Sequence, residues 1–329
     1  MKILIYSSVF HPAIGGIENL TLSLAQEFVK SGHEVKVVTE QVQKKNAPLP
    51  GIEVVHASSK WAQLKLFFWS DVVYMPNITL KGVWLFLFNP FKKWVVSHND
   101  FHLINSHGPK ARLKNIAIKA AATNIAVSHS VARALTVDST VVYNCYKDEV
   151  FRLYPDEPRN IDFLFVGRLV SQKGCEMLIE ACSRLRKPFR LNIVGHGFEY
   201  EALNAKVQRL GLDDSIGFLG FMRDEELART MNRHRVMIVP SMGPEGFGIV
   251  ALEGLACGCK MVVADAGGLA EAVDGFGEVF PMGDVDALTK LLQQALDERD
   301  SDPMSNAKAA YLRDRSTRNV AQKYLNLFA

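Results

Sequence analysis

No apolar run in the chain is long enough to span a bilayer: the longest, Val83 to Phe88, falls far short of the roughly 20 residues a membrane helix needs. The opening MKILIYSSVF carries one lysine, a short apolar stretch and no small-residue cleavage site, so it reads as a first strand and not as a secretion signal. Cysteine is also scarce. Cys145, Cys175, Cys182, Cys257 and Cys259 are odd in number and scattered through a long chain, which argues against a disulfide framework. Cys257-Gly258-Cys259 looks like half a zinc site, but no second Cys or His pair stands nearby. Small buried residues on and after a helix are the expected role, and no metal site is expected. Low-complexity tracts are missing too, and 48% hydrophobic with 22% charged residues is the make-up of a soluble globular protein. Net charge is only +3 and no recognition motif accompanies it, which argues against nucleic acid as a partner. That small charge is unevenly placed. Residues 1–150 carry 16 Lys+Arg against 10 Asp+Glu, a balance of +6, whereas residues 151–329 carry 22 against 25, a balance of −3. The two halves are expected to meet different partners.

What the chain has in plenty is alternation. Short β-branched runs at Lys2–Tyr6, Glu34–Thr39, Ile52–Val55, Val72–Met75, Trp94–Ser97, Asn124–Ser128 and Thr140–Tyr143 are separated mostly by helical patterns. The first helix, 16–31, repeats Leu20, Leu24 and Phe28 at helical spacing and is closed by Gly32. The pattern pauses where Pro155 and Pro158 stand among charges. It resumes with strands at Phe163–Val166, Arg190–Val194, Ile216–Leu219, Val236–Pro240 and Met261–Ala264. Helices are expected at 174–186, 200–210, 224–233, 249–257 and from Asp284 onward. The expected class is α/β, with two Rossmann-like domains whose parallel sheets face each other across a deep cleft. The expected division is a first domain over 1–145, a linker over 146–160, and a second domain over 161–314. A helix over 315–329 is expected to pack back on the first domain. Ligands of such sheets sit at the carboxyl ends of the strands.

Four segments carry chemistry at those ends. Gly15-Gly16 follows the first strand and opens the first helix, where backbone can approach an anion; an ordinary strand-to-helix turn fits the same residues. Gly167-Arg168-Leu169 and Lys173-Gly174 follow the first strand of the second half. Two cations at the mouth of a parallel sheet suit a diphosphate, the Arg as a planar fork and the Lys as a point charge. Gly195-His196-Gly197 ends the next strand, and its glycines fit a turn as well as a ligand. The most informative segment is PSMGPEGFGIVALEGLACG, from Pro240 to Gly258. It places Glu245 on a loop, Phe247 to Val250 at a helix start with free N–H groups, and Glu253 inside that helix. Acceptors for sugar hydroxyls thus stand beside donors for phosphate, and Glu253, set among Ile249, Val250, Leu252 and Leu255, needs a partner if buried.

That segment resembles the Glu-seven residues-Glu motif of retaining glycosyltransferases, family 4 in particular. The other pieces match in order: the glycine pair, His98 after a strand, Ser128 in AVSHS, Asn144, GRL…QKG, the Gly-His-Gly turn, and Gly267-Gly268…Glu271. The chain departs from the pattern at Cys145, where a Gly commonly follows the Asn, and at His98-Asn99-Asp100. The resemblance implies a GT-B fold, retention at the anomeric carbon, and metal-independent transfer with no cofactor, the nucleotide-sugar being a co-substrate of UDP or GDP type. It also implies that Arg168 and Lys173 neutralise the donor diphosphate and that Glu253 holds the ribose hydroxyls. Glu245, with the backbone of Phe247, Gly248 and Ile249, would hold the sugar, with Val250, Gly167 and Gly195 lining the donor. His98 would contact the sugar near the reacting centre, and Gly15 and Gly16 would line the phosphate and acceptor side. The resemblance further implies that the departing diphosphate itself takes the acceptor's proton, so Glu245 and Glu253 are not expected to act as a glycosidase-type acid and nucleophile.

A sugar-nucleotide epimerase, a phosphorylase-like enzyme and a non-catalytic nucleotide-sugar-binding subunit share the architecture. No lysine is well placed for pyridoxal, and a non-catalytic subunit is expected to lose His98 or Glu245. The first half adds Trp84, Phe86, Phe88 and Phe91 to Lys92, Lys93, Lys110, Arg112 and Lys114. Aromatic and basic residues together suit an anionic membrane surface, although core packing accounts for aromatics equally well. The expected acceptor is a saccharide or lipid-linked intermediate of cell-surface polysaccharide or glycolipid synthesis. The expected location is cytoplasmic, peripheral on the inner face of the membrane.

Overall fold

The computed structural model describes residues 1–13, 15–40, 49–56, 59–101, 108–298 and 304–329, and they form two units. Unit 1 is Met1–Cys145 together with Asp314–Ala329, and unit 2 is Tyr146–Arg313. Unit 1 holds strands β1 (Lys2–Ser7), β2 (Glu34–Thr39), β3 (Ile52–His56), β4 (Val72–Pro76), β5 (Lys93–His98), β6 (Thr123–Ala126) and β7 (Thr140–Val141). Unit 2 holds β8 (Ile161–Val166), β9 (Leu191–Val194), β10 (Ile216–Gly220), β11 (His234–Val239), β12 (Lys260–Ala264) and β13 (Gly277–Phe280). The sheet orders are β3-β2-β1-β4-β5-β6-β7 and β10-β9-β8-β11-β12-β13, with every pairing parallel. Each order reverses once, between β1 and β4 and between β8 and β11. Ligands of such sheets bind at the carboxyl ends of the strands beside such a reversal.

The connecting helices are α1 (Gly16–Lys30), α2 (Lys60–Trp69), α3 (Leu80–Val83), α4 (Pro109–Ala120) and α5 (His129–Ala134) in unit 1. In unit 2 they are α6 (Cys175–Ser183), α7 (Tyr200–Arg209), α8 (Asp224–Asn232), α9 (Ile249–Ala256), α10 (Leu269–Val273) and α11 (Val285–Asp297); α12 (Asn306–Asp314) and α13 (Thr317–Phe328) follow. Ile3, Leu4 and Ile5 are all fully buried, which is why β1 reads as an unbroken apolar run: both faces of its sheet are covered. In α1, Leu20, Leu24 and Phe28 form the buried stripe. α13 starts at Ser316, whose hydroxyl accepts from the Asn319 N–H at 3.4 Å, and it packs on α1. Its Phe328 meets Phe28 edge-on at 5.4 Å and its Tyr324 meets Tyr74 at 5.5 Å. A fully buried side chain of this size contributes about 1.5–3 kcal/mol through burial.

Several boundaries differ from expectation for local reasons. Residues 146–160 belong to unit 2: Phe151 and Tyr154 are buried, the Tyr154 N–H donates to Asn232 Oδ1 at 2.9 Å, and Glu157 bridges Arg229 and Arg233 at 3.0 and 2.6 Å. β6 stops at Ala126, and Ser128 turns to cap α5, its Oγ accepting from the Val131 N–H at 3.1 Å. α6 ends at Ser183, three residues before the pattern predicts, and a 3-10 turn over Ser171–Lys173 precedes it. Two of the four aromatics expected at the surface are not there in full. Phe86 stacks on Trp94 at 4.3 Å and Trp84 is half-buried beside Phe88. Lys92 is no free surface cation either. Its ammonium is tied to the Ser70 carbonyl, and burial lowers its pKa. Among the described residues no helix is long and apolar enough to cross a membrane.

Candidate functional site

In unit 2 the loops that follow β8, β9 and β11 touch through their backbones. Gly195 has φ +145°, and a Cβ there would lie 1.8 Å from the Gly167 carbonyl oxygen. Gly174 has φ +70°, and its Cβ would lie 1.8 Å from the Pro240 carbonyl oxygen. Both positions combine a left-handed backbone with a contact that leaves no room for a side chain. Gly174 and Gly195 thus serve first to bring the loops together, and Gly167 supplies the carbonyl that Gly195 meets. We expect Gly195→Ala to cost on the order of 1–3 kcal/mol or more, read as a lower urea midpoint with an unchanged slope. A native midpoint would show that the two loops do not meet.

This junction fixes the charged groups. Arg168 is exposed and has no ion-pair or side-chain hydrogen-bond partner among the described residues. Lys173 lies across the same turn, its Cβ 3.9 Å from the place a Gly167 Cβ would take, and its ammonium forms an ion pair with Glu245. Buried Ser241 donates to the same carboxylate oxygen of Glu245 at 2.8 Å. The backbone of Glu245 is held as well: its N–H donates to Ala266 at 3.2 Å and its carbonyl accepts from Gly268 at 2.8 Å. The structure therefore gathers Lys173 and Glu245, distant in sequence, at the β8/β11 reversal, with Arg168 on the loop beside them.

The second part is α9. Gly248 caps it, and the N–H groups of Ile249 and Val250, as first residues of the helix, have no acceptor inside it. Phe247 is buried, so only its backbone is placed to touch a ligand. One turn on, Glu253 is half-buried and has no partner among the described residues. Burial pushes its carboxyl up to about 8; Lys147 pulls it down and Asp224 pushes it up, these two forming an ion pair at 2.8 Å. A half-buried carboxylate without a donor is an unfilled acceptor, and hydroxyl groups would satisfy it. Asp284 and Asp286, which have the Asp-x-Asp spacing familiar from metal sites, are used locally. Asp284 caps α11 through the Ala287 N–H at 2.8 Å, and Asp286 pairs with Arg184 at 2.6 Å.

Unit 1 holds the remaining candidates. Gly15 precedes α1 in extended conformation, and a Cβ there would meet the Glu18 carboxylate at 2.2 Å. That helix start already carries a negative charge, which weighs against an anion there. Gly16 faces open space. His98 ends β5 and is 1% exposed. Asn124 Nδ2 donates to the Ile118 carbonyl at 3.0 Å, so its Oδ1 accepts from His98 Nε2–H, also at 3.0 Å. Nδ1 is then a lone pair with no donor among the described residues, and burial lowers the pKa of the ring. Ser128 is fully buried in its capping role. Sequence reasoning missed Ser241, Lys147 and Asp224. No spacing signals them, because each acts across a tertiary contact.

Comparison with known proteins adds a family. Residues 148–313 match the family described as glycosyl transferases group 1. An uncharacterised glycosyltransferase of Methanocaldococcus jannaschii is 33% identical over 190 residues, 53% of this chain and 52% of that protein. A D-inositol 3-phosphate glycosyltransferase of Acidothermus cellulolyticus is 39% identical over 122 residues, 33% of this chain and 27% of that protein. The chain thus spans about half or less of the length of these curated relatives. Among solved structures, HepE of Anabaena in complex with UDP superposes with a TM-score of 0.81 at 21% identity, covering 99% of both chains. The lipopolysaccharide outer core galactosyltransferase WaaB does so with a TM-score of 0.77 at 18% identity, covering 99% of this chain and 98% of that one.

Proposed function

The chain belongs to the group 1 glycosyl transferases, and from that membership we propose that it moves a sugar from a UDP- or GDP-type nucleotide onto an acceptor hydroxyl, with retention at the anomeric carbon, as in family 4. The observation that carries this reading is the β8/β11 junction, where an unpartnered Arg168 stands beside the Lys173–Glu245 pair. Breaking the glycosyl–phosphate bond leaves negative charge on the diphosphate. Arg168, Lys173 and the N–H groups of Ile249 and Val250 are the groups to receive it. Donor binding would transfer part of Lys173's charge from Glu245 to phosphate and free Glu245 for sugar hydroxyls. Glu253 accepts from the ribose. His98 is 1% exposed, so its contact with the sugar near the reacting centre requires the residues covering it to move aside. Because two cations and a helix start hold the diphosphate, transfer proceeds without a divalent ion, and excess chelator leaves turnover unchanged. Activity lost to chelator and restored by magnesium or manganese would overturn that point.

UDP is the favoured nucleotide, since the Anabaena neighbour was solved with it. The acceptor is a saccharide or a lipid-linked intermediate of cell-surface polysaccharide or glycolipid synthesis, in keeping with the WaaB neighbour, and the working location is the inner face of the cytoplasmic membrane. A thermal-shift panel of UDP, GDP and their sugars tests the donor. A ligand at 100 times its Kd stabilises by about 2.7 kcal/mol, a rise of several degrees. No shift with any of them would sink the donor assignment, and the anomeric configuration of the product by NMR decides retention.

A further inference from the structure

We propose that unit 1 docks on an anionic lipid bilayer through one continuous face made by α2, the turn over residues 84–91, and α4. α2 is apolar on two sides. Its Leu66 and Phe67 are buried, as a helix on a sheet requires, yet Trp61 and Phe68 point outward, Trp61 being 82% exposed. Beside it the turn presents Leu87, Phe88 and Phe91, with Leu87 at 84% and Phe91 at 95% exposure. The two elements are joined. Phe67 meets Phe86 edge-on at 5.3 Å, the Lys60 ammonium lies 5.9 Å above the Trp84 ring, and the Lys92 ammonium reaches back to the Ser70 carbonyl. α3 runs straight into this turn and packs on α4, whose Leu113 and Ile116 are more than half exposed. Adjacent large apolar side chains in water mark a surface meant to be covered.

Charge selects the occupant. From residue 54 to residue 137 the sequence has ten Lys and Arg but only two acids, Asp71 and Asp100. Both acids are held by hydrogen bonds, Asp71 from the Lys2 N–H at 2.7 Å and Asp100 from Asn77 at 3.1 Å. Lys60, Lys65, Lys110, Arg112 and Lys119 are exposed and have no acidic partner among the described residues. A protruding aromatic and aliphatic ridge flanked by unneutralised cations fits an anionic headgroup layer, with the ridge entering the acyl boundary and the cations meeting the phosphates. A second copy of the same face would set cation against cation. For its purpose the docking rests on the reading of a lipid-linked acceptor, but vesicle binding is measured without any acceptor.

The test is cosedimentation of the full chain with vesicles of phosphatidylglycerol and phosphatidylcholine, and with phosphatidylcholine alone. The chain should pellet with the anionic vesicles at low salt, release as salt rises, and stay in solution with the neutral ones. The double variant Leu87→Ser, Phe91→Ser and the triple variant Lys60→Gln, Lys65→Gln, Arg112→Gln should each lose at least tenfold in partition. Both should keep the native melting midpoint and the UDP-induced shift. Failure to pellet with anionic vesicles at low salt overturns the proposal, as do both variants binding like the native chain. A concentration-dependent dimer that does not bind vesicles also overturns it and assigns the ridge to a second copy. Native vesicle binding with transfer only to water-soluble saccharides supports the docking face and overturns the lipid-linked acceptor alone.

Discussion

Lys173→Ala is expected to lower kcat/KM by about 30- to 900-fold with the fold intact, because losing one group that stabilises a developing charge costs on the order of 2–4 kcal/mol. The effect has two sources. The departing diphosphate loses a cation, and Glu245, fixed by the Ala266 and Gly268 backbones, loses its counter-charge and keeps only the Ser241 hydroxyl. Adding Glu245→Gln to the lysine variant should therefore cost less than the sum of the single changes, as for groups acting as a unit. Arg168→Ala is a cleaner experiment. Its side chain has no ion-pair or hydrogen-bond partner to leave behind, so the melting midpoint should stay put while activity falls at least tenfold. Near-native kinetics in both single variants would remove the cationic loop from the mechanism.

The affinity for UDP should rise about tenfold between pH 7 and pH 9 and then level off. The cause is Glu253, whose carboxyl is held up to about 8 by burial. Below that value the free protein carries it protonated, and a protonated acid accepts hydroxyl donors poorly, so binding must expel the proton. Each unit below 8 then costs close to tenfold until the complex itself protonates. The charged groups that act on it are Lys147, which lowers it, and Asp224, which raises it, and the two form an ion pair with each other. Glu253→Gln should match the native affinity near pH 7, show no rise with pH, and fall about tenfold behind by pH 9. The stability sign is separate. A carboxyl raised on folding binds its proton more tightly in the folded state, so stability is lost as pH climbs from the usual carboxylate range to about 8. The Gln variant should accordingly melt higher than the native chain at pH 9. Isothermal titration with UDP at four pH values decides it; a flat native profile rules out Glu253 as the ribose acceptor.

The strands were legible because parallel sheets covered on both faces demand unbroken apolar runs, and Lys2–Ser7 or His234–Val239 can hardly be anything else. β13 was not legible, because Gly277–Phe280 buries only its last residue and carries no run at all. The glycine-rich strand ends were visible as candidate ligand loops, yet their first task, loop meeting loop at Gly195 and Gly174, depends on contacts far apart in sequence. The same holds for the Lys173–Glu245 pair and for Lys147 beside Asp224. Each residue is ordinary in its own segment, and its chemistry comes from the partner the fold delivers. Charge and prolines read as a linker over 146–160 for a similar reason, since nothing local shows that Glu157 will find Arg229 and Arg233.

Unit 1 is assembled from two stretches of chain with all of unit 2 between them. A ribosome releases Phe28 and Tyr74 long before it makes Tyr324 and Phe328, which cover them. At about 5–20 residues per second, the nascent first sheet waits several seconds or more with an uncovered apolar face, while the contiguous unit 2 can close on itself. The order of completion is thus the reverse of the order of synthesis: the part that emerges first is finished last. A chaperone or protease surveying the growing chain would find its target on that first sheet, and arrival of α13 is the event that withdraws it.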